Sequence, residues 1–282
     1  MIDFGPSGHC EKMEEENIDI LKVPAFLNEH GLTAFEYPLT YGINISTAKA
    51  KIIGEEFKKY NIKLSVHAPY YINLATPDDE AAEKSFGYIV SSIAIMKAMG
   101  ADRLVFHPGS LTKQTREVAF NNTIRRIKEL VVRLKEENLL DGIYLCPETM
   151  GKHGQIGTYS EVLEMCKIDE HIIPTLDFGH INAFTLGSLK TSADFEEILN
   201  AYISGLGDRG HNIHCHFSRI KFGDKGELCH LNFDTLEDFG PDYLELVKAL
   251  RKCKTEGRII SESRGHQTID SMAIKRAYDA IK

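Results

Sequence analysis

Short apolar runs alternate with longer segments of helical periodicity from one end of the chain to the other. Several of the short runs are rich in Val, Ile, Leu and Phe with little polar alternation, which is typical of parallel strands buried on both faces. They predict strands at 2–5, 32–37, 63–67, 104–107, 143–148, 172–177, 212–217 and 258–262.

The segments between these runs place their apolar residues on one face of a helix. The segment 78–99 also carries a start signal, TPDD, at one end and a stop signal, Gly100, at the other. The pattern predicts helices at 46–60, 78–99, 117–139, 160–166, 192–202, 241–253 and 268–281.

Eight strands alternating with helical segments are the count for an α/β fold of the (βα)8 TIM barrel type. A doubly wound open sheet shows the same alternation, but its first strand usually leads into a glycine-rich phosphate turn. Here the first strand runs into GPSGHCE, which does not match G-x-G-x-x-G. We found no linker or internal repeat in the sequence, so we predict a single barrel domain over 1–282.

Composition narrows the class of protein. The chain has 282 residues and a net charge of −8, with 43% hydrophobic and 26% charged residues, which excludes disordered, collagen-like and disulfide-stapled chains. The charge also argues against a protein that coats nucleic acid by bulk electrostatics. No apolar run approaches the roughly 20 residues of a membrane span.

The six cysteines form no CxxC pair, which is typical of reduced core residues, so we predict a cytoplasmic protein. A barrel of this size needs no partner for its core, and we predict a monomer.

The carboxyl ends of barrel strands carry the chemistry of barrel enzymes. In this sequence six consecutive predicted strands deliver histidine or carboxylate to that rim: His67, His107, Glu148, Asp177 with His180, His216 followed by Glu227 and His230, and Glu262. Imidazole and carboxylate are the ligands that zinc and its first-row neighbours select. Nine candidates are more than one mononuclear site can use, so they predict two or three ions. Three divalent ions beside four carboxylates would leave the rim with a net positive charge, which could hold a phosphate.

The remaining histidines are expected to be hydrogen-bonded structural residues: His9, His30, His153, His171, His211, His214 and His266. Among them His214 is expected to face the helices if His216 faces the barrel interior.

Four segments at these strand ends resemble one known family. They are HAPYYINLATP at 67–77, FHPGS at 106–110, PETMG at 147–151 and LDFGHINAF at 176–184. Their order and spacing resemble the endonuclease IV family of apurinic/apyrimidinic endonucleases, within the xylose-isomerase-like barrels. The resemblance extends from the first predicted strand to the eighth.

The resemblance implies a zinc-dependent hydrolase with up to three Zn²⁺ ions, Mn²⁺ being an alternative. It would cleave the phosphodiester 5′ to abasic sites in damaged double-stranded DNA during base excision repair. Carried over to this sequence, His67, His107 and Glu148 hold the first ion, and Glu148 bridges to a second held by Asp177, His216 and Glu262. His180 and His230 hold the third, completed by either Glu227 or Cys229. Glu148 and Glu262 are the predicted catalytic residues.

Two residues are candidate substrate contacts. Tyr70 matches the family tyrosine on a DNA-facing loop, although it could equally cover the barrel mouth. Arg219 could grip a phosphate, or it could be an ordinary solvated charge. The loop EYPLTYGINIS at 36–46 lacks the basic and aromatic residues with which the family penetrates DNA.

Two other function classes fit parts of the same pattern. A metal-dependent sugar isomerase or epimerase would need only Glu148, Asp177, His216 and Glu262, with Mn²⁺, Mg²⁺ or Co²⁺. The histidines at 67, 107, 180 and 230 are surplus to such an enzyme and are required by a trinuclear nuclease. A structural or metal-storing barrel is disfavoured because structural zinc sites are commonly closed and rich in cysteine.

Overall fold

A closed ring of eight parallel strands forms the centre of the protein, which a computed structural model describes over residues 1–281. The strands in chain order are β1 (Ile2–Pro6), β2 (Ala34–Pro38), β3 (Lys63–His67), β4 (Arg103–Phe106), β5 (Gly109–Ser110), β6 (Tyr144–Pro147), β7 (Gln155–Ile156), β8 (Thr175–Asp177), β9 (Asn212–Phe217), β10 (Arg219–Gly223), β11 (Gly226–Leu231) and β12 (Glu256–Ser261). Two four-stranded sheets, β2-β3-β4-β6 and β1-β12-β9-β8, make up the ring. Isolated parallel bridges join them. Ser7 pairs with Glu36 at one seam, and Leu145 with Ile172 and Glu148 with Thr175 at the other. The predicted (βα)8 barrel is confirmed.

The helices are α1 (Glu11–Glu15), α2 (Val23–Glu29), α3 (Thr47–Lys59), α4 (Asp79–Met99), α5 (Arg116–Glu136), α6 (Tyr159–Cys166), α7 (Phe178–Phe184), α8 (Ser192–Leu206), α9 (Tyr243–Lys252) and α10 (Gln267–Ala280). Three of them, α1, α2 and α7, are absent from the sequence prediction. They have five, seven and seven residues, too few to display helical periodicity. Among residues 1–281 no helix has the length and apolar character needed to cross a bilayer.

Local signals explain where the long elements begin and end. The carboxylate of Asp78 accepts hydrogen bonds from the first-turn N–H groups of α4, and Gly100 ends that helix with φ 68°. The predicted strand at 172–177 is shorter in the structure and starts at Thr175. Pro174 has no N–H to donate, so the residues before it join the sheet only through an isolated bridge at Ile172.

The main apolar core lies between the barrel and its helices, because outward-facing strand residues such as Leu104, Ile213 and Phe217 pack there. The barrel interior is different. Val105, Cys146 and Ile173 form a separate small apolar cluster. Because side chains alternate between the two faces of each strand, polar side chains also point into the barrel. They lie beneath the strand ends that bear the predicted metal ligands.

An antiparallel hairpin, β10 with β11, extends the loop after β9 and was not predicted. Its two strands alternate apolar and polar residues around Gly223-Asp224-Lys225-Gly226, with a register shift at Lys221. A two-residue turn flanked by glycines between alternating strands is a recognisable hairpin signal. The hairpin carries two of the predicted metal ligands.

Candidate metal centre

The nine predicted metal ligands converge at the carboxyl ends of the barrel strands. Their donor atoms form three groups, and within each group the donors lie within 4.8 Å of one another. The groups are His67, His107 and Glu148; then Glu148, Asp177, His216 and Glu262; and then His180, Glu227 and His230.

Glu148 lies at the centre of the arrangement and is 1% exposed. Its Oε2 atom is 3.2 Å from Nε2 of His67 and 3.2 Å from Nε2 of His107. Its Oε1 atom is 3.2 Å from Nδ1 of both His180 and His216. Oε2 therefore faces the first donor group, and Oε1 faces His216 of the second, which is the geometry expected of a ligand shared between two cations. The contact with His180 is different, because Nδ1 of His180 also lies 3.0 Å from the carbonyl oxygen of Thr149.

The backbone fixes these side chains at the rim. Glu148 follows β6 directly, and its N–H donates to the carbonyl of Phe106 at 3.0 Å. Asp177 ends β8 and also caps α7, since its Oδ1 accepts from the N–H of His180 at 2.7 Å. The three-residue spacing in LDFGH thus lets one short helix set both Asp177 and His180.

Hydrogen bonds fix the ring orientation of two of the histidines. Nδ1 of His67 lies 2.8 Å from the carbonyl oxygen of Ala68, an acceptor that requires the proton on Nδ1. Nδ1 of His230 lies 2.9 Å from the hydroxyl of Ser218. In both rings Nε2 then faces the candidate carboxylates. Such outer contacts set the tautomer of metal-binding histidines.

The third group depends on close approach of the hairpin to the loop after β6. The N–H of Glu227 donates to the carbonyl of Gly151 at 2.9 Å. A Cβ atom at Gly151 would lie 2.8 Å from Cβ of Glu227 and 2.9 Å from Cδ2 of His180, so only glycine fits there. Glu227, and not Cys229, lies with His180 and His230 among the described residues.

The electrostatics of the site fit bound cations. Burial raises the pKa of Asp177, and the carboxylates of Glu148 and Glu262 raise it further. The Oδ2 atom of Asp177 is buried and has no hydrogen-bond donor within residues 1–281. Burial lowers the pKa of His180, but Asp177 and Glu148 outweigh that effect and raise it to about 10. Buried carboxylates packed this closely need positive charge between them, and divalent cations held by the same oxygens would supply it.

Two tyrosines lie at the mouth of the site. The ring of Tyr70 stacks on His107 with centroids 4.9 Å apart and meets His67 edge-on at 5.5 Å. Tyr41, in the loop after β2, is 79% exposed and contacts Tyr70 edge-on at 6.4 Å. The fold thus turns one aromatic side chain of the 36–46 loop outward beside Tyr70.

Arg219, the predicted phosphate contact, is engaged elsewhere. Its guanidinium donates to carbonyl oxygens of the loop before α9, those of Phe233, Thr235, Glu237 and Phe239. These hydrogen bonds give Arg219 a role in holding that loop. The sequence could not reveal this, because the carbonyl acceptors lie 14 to 20 residues away.

The expected orientation of His214 was also wrong. Residues two apart in a strand point to the same face, so His214 and His216 both point into the barrel. There Nε2 of His214 lies 2.9 Å from Oε2 of Glu36, a fully buried residue of β2 that the sequence analysis overlooked. A glutamate inside an otherwise apolar strand run was the signal that could have found it.

Comparison with known proteins identifies the fold family. The model of the family described as xylose isomerase-like TIM barrel matches residues 24–282. The chain belongs to the xylose isomerase-like TIM barrel family. Within it, an uncharacterized protein of Methanocaldococcus jannaschii is 32% identical, covering 93% of this chain and 92% of its own length.

Other proteins similar to this chain have names that state an activity. A probable endonuclease 4 of Halothermothrix orenii is 27% identical, covering 72% of this chain and 79% of its own length. The crystal structure of a D-tagatose 3-epimerase-like protein matches with a TM-score of 0.72 at 21% identity, over 99% of this chain and 97% of that one, which reflects the shared fold. The resemblance to endonuclease IV proteins is thus confirmed at the level of the family.

Proposed function

We propose that the chain is a cytoplasmic, monomeric, zinc-dependent endonuclease that hydrolyses the phosphodiester 5′ to abasic sites in damaged double-stranded DNA. The observation that carries the proposal is the position of Glu148 in two donor groups, with His67 and His107 at one of its oxygens and His216 at the other. An epimerase needs a single four-residue set, and this chain holds two further donor groups around it. The similarity to a probable endonuclease 4 supports the same choice.

The three donor groups would hold zinc ions, with Mn²⁺ as an alternative, and such ions would supply Lewis acidity for phosphodiester hydrolysis. The chain's own residues do the positioning. Glu148 belongs to two of the three donor groups and would be their shared ligand. Glu262 has a side chain that is 17% exposed, against 1% or less for Glu148, so it is placed to orient a water arriving from the mouth. The exposed faces of Tyr70 and Tyr41 could pack against the sugar or base beside a lesion.

A sugar epimerase is the second candidate, and one observation favours it. The mouth of the site offers two exposed tyrosines, while Arg219, the nearby cation predicted to grip phosphate, is committed to a loop. Exposed aromatic faces suit an uncharged sugar ring. The set Glu148, Asp177, His216 and Glu262 would supply the metal ligands for this reaction.

The test is an incision assay on a duplex oligonucleotide with one stable abasic analogue, beside an undamaged duplex. We expect a single incision 5′ to the lesion that disappears after chelation and returns with zinc. No incision by folded, metal-loaded protein would refute the nuclease. Turnover of a ketohexose in the same preparation would then establish the epimerase.

A further inference from the structure

A buried carboxylate lies directly beneath the candidate metal centre. Glu36 of β2 is 0% exposed, and its Oε2 accepts hydrogen bonds from the hydroxyl of Ser65 at 3.0 Å and from Nε2 of His214 at 2.9 Å. Its other oxygen, Oε1, is 2.9 Å from Nε2 of His216. Strand pairing explains the placement, because Glu36 lies opposite Ser65 in the register of β2 and β3.

His216 connects Glu36 to the candidate ligands. Its Nδ1 atom is 3.2 Å from Oε1 of Glu148 and 3.5 Å from Oε1 of Glu262, while its Nε2 faces Glu36. An imidazole that binds a cation through one nitrogen keeps a proton on the other, and that proton needs an acceptor. Within residues 1–281, the 2.9 Å approach to Oε1 of Glu36 is the charged contact of Nε2 of His216, and neither atom makes a hydrogen bond of standard geometry.

Glu36, His214 and His216 also form a group whose donor atoms lie within 4.8 Å of one another. Two ligands at about 2 Å from a tetrahedral zinc are separated by roughly 3.3 Å. Glu36 lies closer than that to each of its two histidines, at 2.9 Å, and its contact with His214 is a hydrogen bond.

The contacts of Glu36 also point toward His216. Its carboxylate lies within 3.0 Å of Ser65, His214 and His216. Among the described residues no lysine or arginine forms an ion pair with Glu36, so His216 is the candidate ligand through which it would act on the metal centre.

We propose that Glu36 is a positioning residue, which aims Nδ1 of His216 at the candidate metal centre and binds no metal itself. The inference rests on the metal centre of the proposed function and is independent of the substrate. Glu36 lies two residues before the end of β2 and is fully buried, so it touches neither substrate nor reacting atoms. Its effect is expected on metal retention.

The test compares Glu36→Gln with Ser65→Ala, which removes a different hydrogen bond to Glu36 and leaves His216 alone. Each full-length protein is titrated with zinc in competition with a chromophoric chelator, and the absorption spectrum of its cobalt form is recorded. We expect Glu36→Gln to bind the same number of ions at saturation, with one site weakened about 10–100-fold and an altered cobalt spectrum. Ser65→Ala should stay near wild type.

A second variant, which keeps the negative charge, distinguishes weakened metal binding from a folding defect. Glu36→Asp retains the carboxylate but draws it back by one methylene, so we expect an intermediate loss of affinity in a protein that still melts cooperatively. An unchanged competition curve for both Glu36 variants would overturn the proposal. So would loss of a whole metal equivalent at saturating zinc in both Glu36→Gln and His214→Gln, since Glu36 would then be a ligand.

The readout separates this inference from the proposed function. Weakened zinc binding by Glu36→Gln in a protein that does not incise abasic DNA would refute the nuclease alone. Normal incision by the wild type, with zinc binding unaffected in the variant, would refute only the role of Glu36.

Discussion

Replacing Glu148 by glutamine removes one charge from the centre of the donor groups and leaves the shape of the side chain almost unchanged. Each of its oxygens lies 3.2 Å from two imidazole nitrogens. An amide turns one of these oxygens into an NH₂ donor that faces two nitrogens at once. Two donor groups lose the carboxylate they share, so we expect at least one metal equivalent to be lost and a second to be weakened.

The loss of activity should be large and the loss of folding stability small. Cations that clamp the attacking and leaving oxygens contribute several kcal/mol, and a loss of about 4 kcal/mol lowers kcat/KM about 1,000-fold. In the metal-free protein, charge-assisted hydrogen bonds worth about 1.5–3 kcal/mol are lost. Relief of the desolvation penalty of the buried carboxylate, several kcal/mol, opposes that loss. A net change within about 2 kcal/mol shifts Tm by less than about 8 °C in a domain of this size.

Three measurements test this: initial rates on the abasic duplex, bound metal per chain, and thermal melts with and without zinc. Glu55→Gln, at an exposed position of α3, is the matched control for loss of a carboxylate charge and should behave as wild type. Wild-type protein should gain about 4 kcal/mol per site at zinc concentrations 1,000-fold above Kd, and Glu148→Gln should lose most of that gain. A Glu148→Gln variant that incises within tenfold of wild type, with full metal content, would refute the bridging role.

Further predictions concern the third donor group and the barrel scaffold. His230→Ala should lose about one metal equivalent by elemental analysis, and an unchanged stoichiometry would remove His230 from the site. Gly151→Ala should lose the same equivalent, because its new Cβ would lie 2.8 Å from Cβ of Glu227, whereas Gly154→Ala, which has open space, should not. Burial raises the pKa of Asp169, but hydrogen bonds from a lysine and a backbone N–H outweigh it and lower that pKa to about 2. Its stabilising effect is therefore present above about pH 4 and lost as the pH falls toward 2. Asp169→Asn should lower the free energy of unfolding by about 1–2 kcal/mol at pH 7, and denaturant melts should show the gap closing near pH 2; a gap that persists there would contradict the assignment.

The barrel and the rim residues were readable from the sequence for a physical reason. Parallel strands covered on both faces are rich in apolar residues, so several show as short apolar runs such as LVF at 104–106 or YLC at 144–146. In a parallel barrel all carboxyl ends meet at one rim. Residues as far apart as His67 and Glu262 are therefore predicted as neighbours without any knowledge of register.

The contacts between side chains inside the barrel could not be predicted from the sequence in the same way. The close contact of Glu36 with His214 and His216 joins residues about 180 positions apart in the sequence, and it depends on how the barrel closes. The inward direction of His214 could have been predicted. Residues two apart in a strand share a face, so His214 had to point the same way as His216, and the expectation that it faced the helices applied this rule wrongly.

The contacts made by the β10–β11 hairpin and by the residues at the mouth of the site depend on tertiary packing alone. Glu227 reaches His180 because Gly151 lets the hairpin approach, and Arg219 is occupied by carbonyls of a loop that the sequence does not place. A side chain's type shows which chemistry it can perform. Its partners depend on long-range distances, and only the folded barrel fixes those.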